Sequence, residues 1–298
     1  LYSILGQLAR EAQRNQSTGQ RGIRTLVLYP MNALVADQLA RMRLLFGDDD
    51  TADVLQERMG RNVQFGMYTG RTPYHGDYDE DRNYNELAPI FDKYINLEDE
   101  DEDLYEDLLE RGRIPAKNLE DFRNKGRSRS SQFRTQPGDT ELFTRQEMHS
   151  PNENGGVPDI LITNYSMLEY MLLRPIEQPL FEETRQWLDE DEDNELNIVL
   201  DEAHLYHGAQ GAEVSLLLNR LLQKLDIPRS RVRFILTSAT MGGDVQTVAP
   251  NFAAELTSSD PDDSDAIEGT REQLSGGSSG NRDAATAFEA VNYAIEES

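Results

Sequence analysis

The stretch NIVLDEAHLYH, residues Asn197–His207, indicates the fold. It begins with the short apolar run Ile198–Leu200, which predicts a buried strand, and continues directly into two adjacent carboxylates, Asp201 and Glu202. A buried parallel strand that ends in two carboxylates can hold a metal–nucleotide complex. The first carboxylate can lie in the outer shell of a magnesium ion, and the second can orient a water molecule for attack on a phosphoryl group. An Asp-Glu pair at a strand end is also a common helix N-cap with a solvated neighbour, so its interpretation depends on the rest of the chain.

The composition predicts a soluble, cytoplasmic protein. Of the 298 residues, 37% are hydrophobic, which is enough to build a core. The chain has no cysteine, which excludes disulfides and cysteine-ligated zinc and fits a reducing interior. No run approaches the roughly 18 apolar residues of a membrane helix, and no signal peptide opens the sequence, so no membrane association is expected. The first residue is Leu1 and not methionine, which favours a fragment of a longer protein.

The net charge of −26 comes from 55 acidic and 29 basic residues, of which only four are lysines. An acidic surface that prefers arginine to lysine is typical of proteins from salt-loving archaea, and an ordinary acidic bacterial protein is the alternative. Such a chain repels DNA at low salt. At ~1 M salt the Debye length is only ~3 Å, so the long-range repulsion disappears.

Strands alternate with helices along most of the chain, which predicts the α/β class with a doubly wound parallel sheet. A less regular region at about 74–157 is interpreted as a mixed insertion, with a helix within 97–110 and a loop over 135–157. Residues 1–257 are therefore predicted to form one domain. The Asp-, Ser- and Gly-rich residues 258–298 are predicted to be an acidic, flexible tail or the start of a following region. Strands are predicted at residues 24–29, 63–68, 159–163, 198–200 and 232–237.

Several motifs occur in a recognisable order. The chain resembles the first RecA-like domain of a superfamily 2 DEAD/DEAH-box helicase, a fold of the P-loop NTPase type. Its longer stretches TNYSMLEYML and LDEAHLYHGAQGAEV are most similar to large bacterial and archaeal DNA helicases of the MrfA-like and Lhr-like groups. The blocks that carry the resemblance are Tyr29–Gln38 (YPMNALVADQ), Thr69–Arg71 (TGR), Asp159–Leu168 (DILITNYSML), Leu200–His204 (LDEAH) and Ser238–Thr240 (SAT).

The resemblance implies ATP and magnesium as cofactors and assigns the catalytic roles by position. Asp201 would hold magnesium through water and Glu202 would position the attacking water. His204 would link the Asp-Glu-Ala-His motif to the Ser-Ala-Thr motif. Ser238 and Thr240 would couple the nucleotide state to the grip on nucleic acid.

The resemblance also implies nucleic acid as the partner, with single-stranded DNA as the expected form. Ligands of open parallel sheets collect at the carboxyl ends of the strands, and backbone amides at helix starts favour phosphate there. The residues that would lie near the phosphate backbone are Asn32, Arg71, Thr163 and Asn164.

One family motif is absent from the sequence. A helicase binds the β- and γ-phosphates with a loop that ends in Gly-Lys-Ser/Thr, and none of the four lysines follows a glycine. We therefore expect the sheet to lack its phosphate-loop strand, so that the strand at 232–237 lies on an edge. We also expect the chain to lack the second RecA-like domain. On this interpretation the parent protein is an ATP-dependent DNA helicase or translocase, and this chain alone is inactive.

Other interpretations stay open. A catalytically inactive nucleic-acid-binding pseudo-helicase would not need the phosphate loop. A metal-dependent nuclease could use Asp201 and Glu202, but the sequence offers no further carboxylates nearby in the usual pattern. His204 and His207 could share a zinc ion on one helical turn. Residues 111–134, the basic island, carry eight basic residues and could bind DNA or pair with the neighbouring acidic run.

Overall fold

The computed structural model describes residues 1–14, 19–30, 32–73, 80–119, 138–149, 156–239 and 244–269. Thr240, most of the basic island and the chain beyond residue 269 lie outside the described residues.

Six strands of the described chain form one sheet in which every neighbouring pair is parallel. Their order across the sheet is β3-β2-β4-β1-β5-β6, so β1 is central and β6 is an edge strand. The predicted α/β class with a RecA-like, doubly wound sheet is confirmed. The strands are β1 (Thr25–Tyr29), β2 (Phe65–Tyr68), β3 (Glu141–Leu142), β4 (Ile160–Asn164), β5 (Leu196–Leu200) and β6 (Val232–Leu236).

Helices cover both faces of the sheet because successive side chains of a strand point to opposite faces. Leu26 and Leu28 of β1 pack into one hydrophobic cluster, and Val27 and Tyr29 pack into another on the opposite face. The first cluster is closed mainly by α7, α8 and α9, and the second by α1, α2 and α3. The helices are α1 (Tyr2–Arg14), α2 (Asn32–Phe46), α3 (Asp49–Met59), α4 (Glu80–Glu100), α5 (Glu102–Glu110), α6 (Arg145–His149), α7 (Tyr165–Leu173), α8 (Gln178–Glu190), α9 (Gly208–Leu225) and α10 (Val245–Thr257).

The insertion is joined to the main sheet. The expectation of a loop over residues 135–157 is wrong where the structure describes them, because Glu141–Leu142 pairs with β2 as the edge strand and α6 follows. A two-residue strand is too short to give a periodic signal. The start of α6 is fixed by a capping box, in which the Thr144 hydroxyl accepts the Glu147 N–H at 3.1 Å and the Glu147 carboxylate accepts the Thr144 N–H at 2.8 Å.

A buried charge cluster lies at the amino ends of β1 and β4. Arg24 and Asp159 are both fully buried. The Arg24 guanidinium is 2.8 Å from the Glu11 carboxylate and 3.4 Å from that of Asp159, and Arg61 approaches Asp159 to 2.6 Å. Burial alone would raise the pKa of Asp159, but Arg61, Arg24 and Arg21 together hold it well below its usual range. The cluster fixes the amino ends of the strands and leaves the carboxyl ends for function.

Within the described ranges, no helix has the length and apolar character needed to cross a membrane.

Candidate nucleotide and nucleic-acid site

The carboxyl ends of five parallel strands bring most of the predicted site residues to one edge of the sheet. Asp201 follows β5, Ser238 follows β6 by one residue, and Thr163 and Asn164 end β4. The loop with Arg71 follows β2, and Asn32 begins the helix after β1. This is the edge at which open α/β sheets bind ligands.

Asp201 is held by the two strands that flank β5. Its backbone N–H donates to the Leu28 carbonyl of β1 at 3.1 Å. On the other side, the hydroxyl of Thr237 donates to Oδ1 of Asp201. Burial first, and then the charge of Asp201 and a hydrogen bond to it, raise the pKa of Tyr29 well above its usual value. The Tyr29 hydroxyl therefore stays protonated and donates to the carboxylate.

Glu202 adopts a left-handed backbone conformation, with φ 49° and ψ 42°. This region is sparsely populated by residues other than glycine, and such strain is concentrated at functional sites. The turn is secured on both sides: the Ala203 N–H donates to the Thr237 carbonyl at 2.8 Å, and the Leu205 N–H donates to the Glu202 carbonyl at 2.9 Å. The two adjacent carboxylates have different partners: that of Asp201 accepts from Thr237, and that of Glu202 lies beside His204.

His204 joins the two motifs. Its Nδ1 lies 3.3 Å from Oε2 of Glu202 and 3.1 Å from Oγ of Ser238. The three side chains come from the turn after β5 and from the end of β6. The structure therefore brings together four of the five predicted catalytic residues, Asp201, Glu202, His204 and Ser238, and the fifth, Thr240, lies outside the described residues.

Residues 116–248 match the family model of the DEAD/DEAH box helicases. This matched segment, a little under half of the chain, is therefore similar to the DEAD/DEAH box helicases.

Two kinds of relative accompany this match. The Druantia protein DruE of Escherichia coli (strain UMEA 4076-1) is 45% identical over 295 residues, which cover 91% of this chain and 16% of DruE. The chain thus spans about a sixth of that relative's length. The crystal structure of the DUF1998 helicase MrfA is similar with a TM-score of 0.37 at 18% identity, covering 85% of this chain and 24% of MrfA. MrfA bound to DNA gives a TM-score of 0.38 at the same identity, with 85% and 20% covered. Because both scores are below 0.5, no residue role is transferred from MrfA.

Asp201 and Glu202 fit a magnesium–nucleotide complex. Both side chains are half-buried at the open carboxyl edge, and carboxylate oxygens are ligands that Mg²⁺ prefers. The donors Thr237 and Tyr29 orient the Asp201 carboxylate from the protein side. Hydrogen-bond donors in this position commonly orient metal-binding carboxylates.

The predicted nucleic-acid residues differ in accessibility. Arg71 is exposed. Asn164 is the N-cap of α7, its side chain accepting the Met167 N–H at 2.8 Å. Thr163 is fully buried and donates its hydroxyl to the Tyr68 carbonyl. The side chain of Asn32 is not among those described, and all four contacts with nucleic acid stay predictions.

Sequence reasoning missed Thr237, Tyr29 and Tyr206. In the parallel register Leu200 pairs with Leu28 and with Leu236, so the next residues, Asp201, Tyr29 and Thr237, are neighbours. The residues at these strand ends could be read from the sequence, but their proximity could be predicted only from the order of the strands in the sheet. Tyr206 is 1% exposed, and burial followed by the nearby Tyr165 and Asp201 raises the pKa of its hydroxyl.

Within the part of the chain that the structure describes, His204 and His207 do not form a zinc site. Among the described residues no group of three or more His, Cys, Asp or Glu side chains could hold a metal ion. Nδ1 of His207 is 2.9 Å from the carbonyl of His204, and Nδ1 of His204 faces Glu202 and Ser238. The two imidazoles therefore direct these nitrogens to different partners.

Proposed function

We propose that this chain is the ATP-binding domain of an ATP-dependent DNA helicase or translocase. The observation that carries the proposal is the convergence of Asp201, Glu202, His204 and Ser238 at the carboxyl edge of a parallel sheet. The match of residues 116–248 to the DEAD/DEAH box helicases supports the reaction class. ATP, magnesium and single-stranded DNA are the proposed ligands.

The proposed chemistry divides between the two carboxylates. Magnesium, when bound, neutralises charge that develops on the phosphates. Asp201, kept in place by Thr237 and Tyr29, would hold the ion through water. Glu202 orients the attacking water and accepts its proton. His204, in contact with both Glu202 and Ser238, passes a change at the nucleotide to the end of β6.

The proposed ATP hydrolysis needs further residues besides Asp201, Glu202, His204 and Ser238. The 298-residue sequence has no Gly-Lys-Ser/Thr loop. We propose that the lysine that contacts the phosphates, and a second RecA-like domain, belong to residues outside this chain. We expect the isolated chain to show no DNA-stimulated ATP hydrolysis. Robust turnover by the purified chain that Glu202→Gln abolishes would contradict this.

The test of the proposed function is ATP hydrolysis by the full-length gene product, with and without single-stranded DNA. Glu202→Gln should reduce the stimulated rate by ~10²–10⁴-fold, the contribution of a positioned general base. Glu213→Gln makes the same change on the exposed face of α9 and should leave the rate unchanged. Equal rates for the two variants would sink the assignment of Glu202.

A nucleic-acid-binding pseudo-helicase is the second candidate, and the absence of a Gly-Lys-Ser/Thr sequence in this chain favours it. It predicts that the full-length product binds single-stranded DNA but does not hydrolyse ATP. The same assay distinguishes the two candidates, since Glu202→Gln would then leave DNA binding and the background rate unaltered.

A further inference from the structure

The loop that carries Arg71 is a tight turn, Thr69–Pro73, with two buried threonines inside it. The Thr72 hydroxyl accepts the Thr69 N–H at 2.9 Å and donates to the Met67 carbonyl at 2.7 Å. The Thr72 N–H returns to the Thr69 carbonyl at 3.1 Å. Thr69 and Thr72 are 1% and 4% exposed, whereas Arg71 at the tip is exposed. The turn therefore presents one cation to solvent at the carboxyl end of β2.

Arg145 of the insertion holds both ends of this turn. Its backbone N–H donates to the Pro73 carbonyl at 3.0 Å, and its guanidinium donates to the Thr69 carbonyl. The same guanidinium lies over the ring of Tyr68, 5.1 Å from the ring centre. Arg145 is only 4% exposed, so these contacts are shielded from water.

Arg145 can act as a clamp because α6 is itself fixed to the fold. Glu147 caps the helix and receives Lys117 at 2.8 Å in a fully buried ion pair. Met148 packs on β2 where Gly66 leaves room: a Cβ built at Gly66 would lie 2.6 Å from Cε of Met148. At the other end of α6, the Tyr68 hydroxyl contacts Nε2 of His149 at 2.9 Å. The helix therefore lies rigidly against the strand that leads into the turn.

We infer that the insertion acts through Arg145 as a positioning element that holds Arg71 ready to bind a phosphate of the nucleic-acid backbone. This inference rests on the proposed function, because it assigns the nucleic-acid contact to the Thr69–Pro73 turn. Arg145 is too buried to reach the nucleic acid, so its effect passes through the turn. The insertion thereby takes part in the grip on the strand.

Binding of a fluorescein-labelled oligodeoxythymidylate to the full-length gene product tests the inference, with anisotropy measured between about 50 and 200 mM potassium chloride. Arg71→Ala should bind about tenfold more weakly, as expected for the loss of one charge-assisted hydrogen bond, and flatten the salt slope by about 0.7. Arg145→Gln should weaken binding and flatten the salt slope by the same amounts. The double variant should be no weaker than either single variant, because both remove the same contact. Arg185→Gln makes the same charge change on the exposed face of α8 and should retain the wild-type slope.

A second readout needs no nucleic acid. Trypsin cleaves after arginine, and the Arg71–Thr72 bond lies at the tip of the turn. Arg145→Gln should release the turn and speed cleavage at this bond, detected by mass spectrometry of the fragments. If Arg145→Gln fails to fold by circular dichroism, Arg145→Lys keeps the charge and one donor to Thr69, and should fall between wild type and Arg71→Ala in salt slope.

Any of three results at Arg145 would overturn the inference: additive losses in the double variant, Arg145→Gln indistinguishable from Arg185→Gln, or unchanged cleavage after Arg71 in Arg145→Gln. An unaffected Arg71→Ala would remove the phosphate contact from this turn, and the inference with it. Failure of the wild-type chain to bind the oligonucleotide would instead contradict the proposed function, while the cleavage rates would still support or refute the clamp.

Discussion

The left-handed backbone of Glu202 costs stability at the position where catalysis is proposed. A residue with a Cβ in this conformation is strained by about 1–2 kcal/mol, whereas glycine adopts it freely. Glu202 makes one ion contact, with the half-exposed His204, and such a pair contributes little. The strain is therefore a local property of the backbone and can be measured apart from the chemistry.

We predict that Glu202→Gly leaves the free energy of unfolding unchanged or raises it by up to about 1 kcal/mol, because strain relief offsets the greater freedom of glycine in the unfolded chain. Glu213→Gly, inside α9, should lower it by about 1 kcal/mol. Urea unfolding of the three proteins measures both. Equal losses for the two variants would show that Glu202 is unstrained.

Thr237 provides a second prediction at this scale. Thr237→Val keeps the shape of the side chain but removes the donor to Asp201. We expect ATP hydrolysis by the full-length product to fall about tenfold, the equivalent of one hydrogen bond to a charged group. Thr237→Ser retains the donor and should retain most of the rate. Equal losses in both variants would mean that the methyl group, and not the hydroxyl, matters.

Among the elements, the amino ends of β1 and β4 depend on one carboxylate. Asp159 accepts hydrogen bonds from Arg61 at 2.6 and 2.8 Å and from the Gln64 N–H at 2.9 Å, and it is fully buried. Its pKa in the folded state is depressed, so the stability that it contributes is fully present above its unfolded pKa. That contribution is lost as the pH falls towards the folded value.

We predict that Asp159→Asn lowers the free energy of unfolding at pH 7 by about 3–5 kcal/mol, the cost of breaking a buried pair. The difference in free energy of unfolding between Asp159→Asn and wild type should become smaller as the pH falls below about 3.9. Asp193→Asn, at a position whose side chain is 75% exposed, should change stability by less than about 0.5 kcal/mol. Denaturant unfolding across pH provides the measurement, and a difference that stays constant down to pH ~2 would contradict the depressed pKa.

The basic island, residues 111–134, leads to a prediction about DNA binding. Its described residues pair within the fold: Arg111 lies 2.7 Å from Asp107, Arg113 lies 3.5 Å from Asp37, and Lys117 is buried between two carboxylates. Arg123, Arg127 and Arg129 lie outside the described residues. If they grip DNA, replacing all three with serine should flatten the salt slope of single-strand binding by about 0.7 for each lost contact. An unchanged slope would assign them to charge pairing as well.

Much of the sheet could be predicted because each long strand is an apolar run beside a turn signal. The predicted bounds of β4 and β5, residues 159–163 and 198–200, differ from the observed ones by one or two residues. β3 was missed because two residues show no periodicity, and its place depends on pairing with β2. At the site, Asp201 and Glu202 were predictable from local sequence. Arg145 was not, because its partners lie more than 70 residues away along the chain.

For the whole molecule, the net charge and the open edge of the sheet both oppose a compact monomer at low salt. The chain carries a net charge of −26, and self-repulsion opposes compaction at low salt. β6 is an edge strand of apolar and β-branched residues, and its only strand neighbour in the described sheet is β5. Open edges of this kind favour association between copies. Arg233, paired with Glu195 at 3.2 Å, is the charged residue within the strand.

We therefore predict that the chain is partly unfolded or self-associating in dilute buffer and becomes compact in molar potassium chloride, where charges are screened beyond ~3 Å. Circular dichroism and light scattering across a salt series measure the two effects. This outcome would also favour the interpretation as a protein from a salt-loving organism. A monodisperse monomer that melts cooperatively in dilute salt would contradict the prediction.

The position of the single tryptophan makes the protein its own optical reporter. Trp187 is 1% exposed, with the Arg24 guanidinium 4.5 Å above its ring and its Nε1–H donating to Glu11 at 3.0 Å. It lies with the charge cluster at the amino ends of the strands, at the opposite edge of the sheet from Asp201. Its emission therefore records loss of the cluster during unfolding. A ligand that binds at the carboxyl edge will change that emission only if its effect crosses the length of the strands, so tryptophan fluorescence separates local binding from a rearrangement of the sheet.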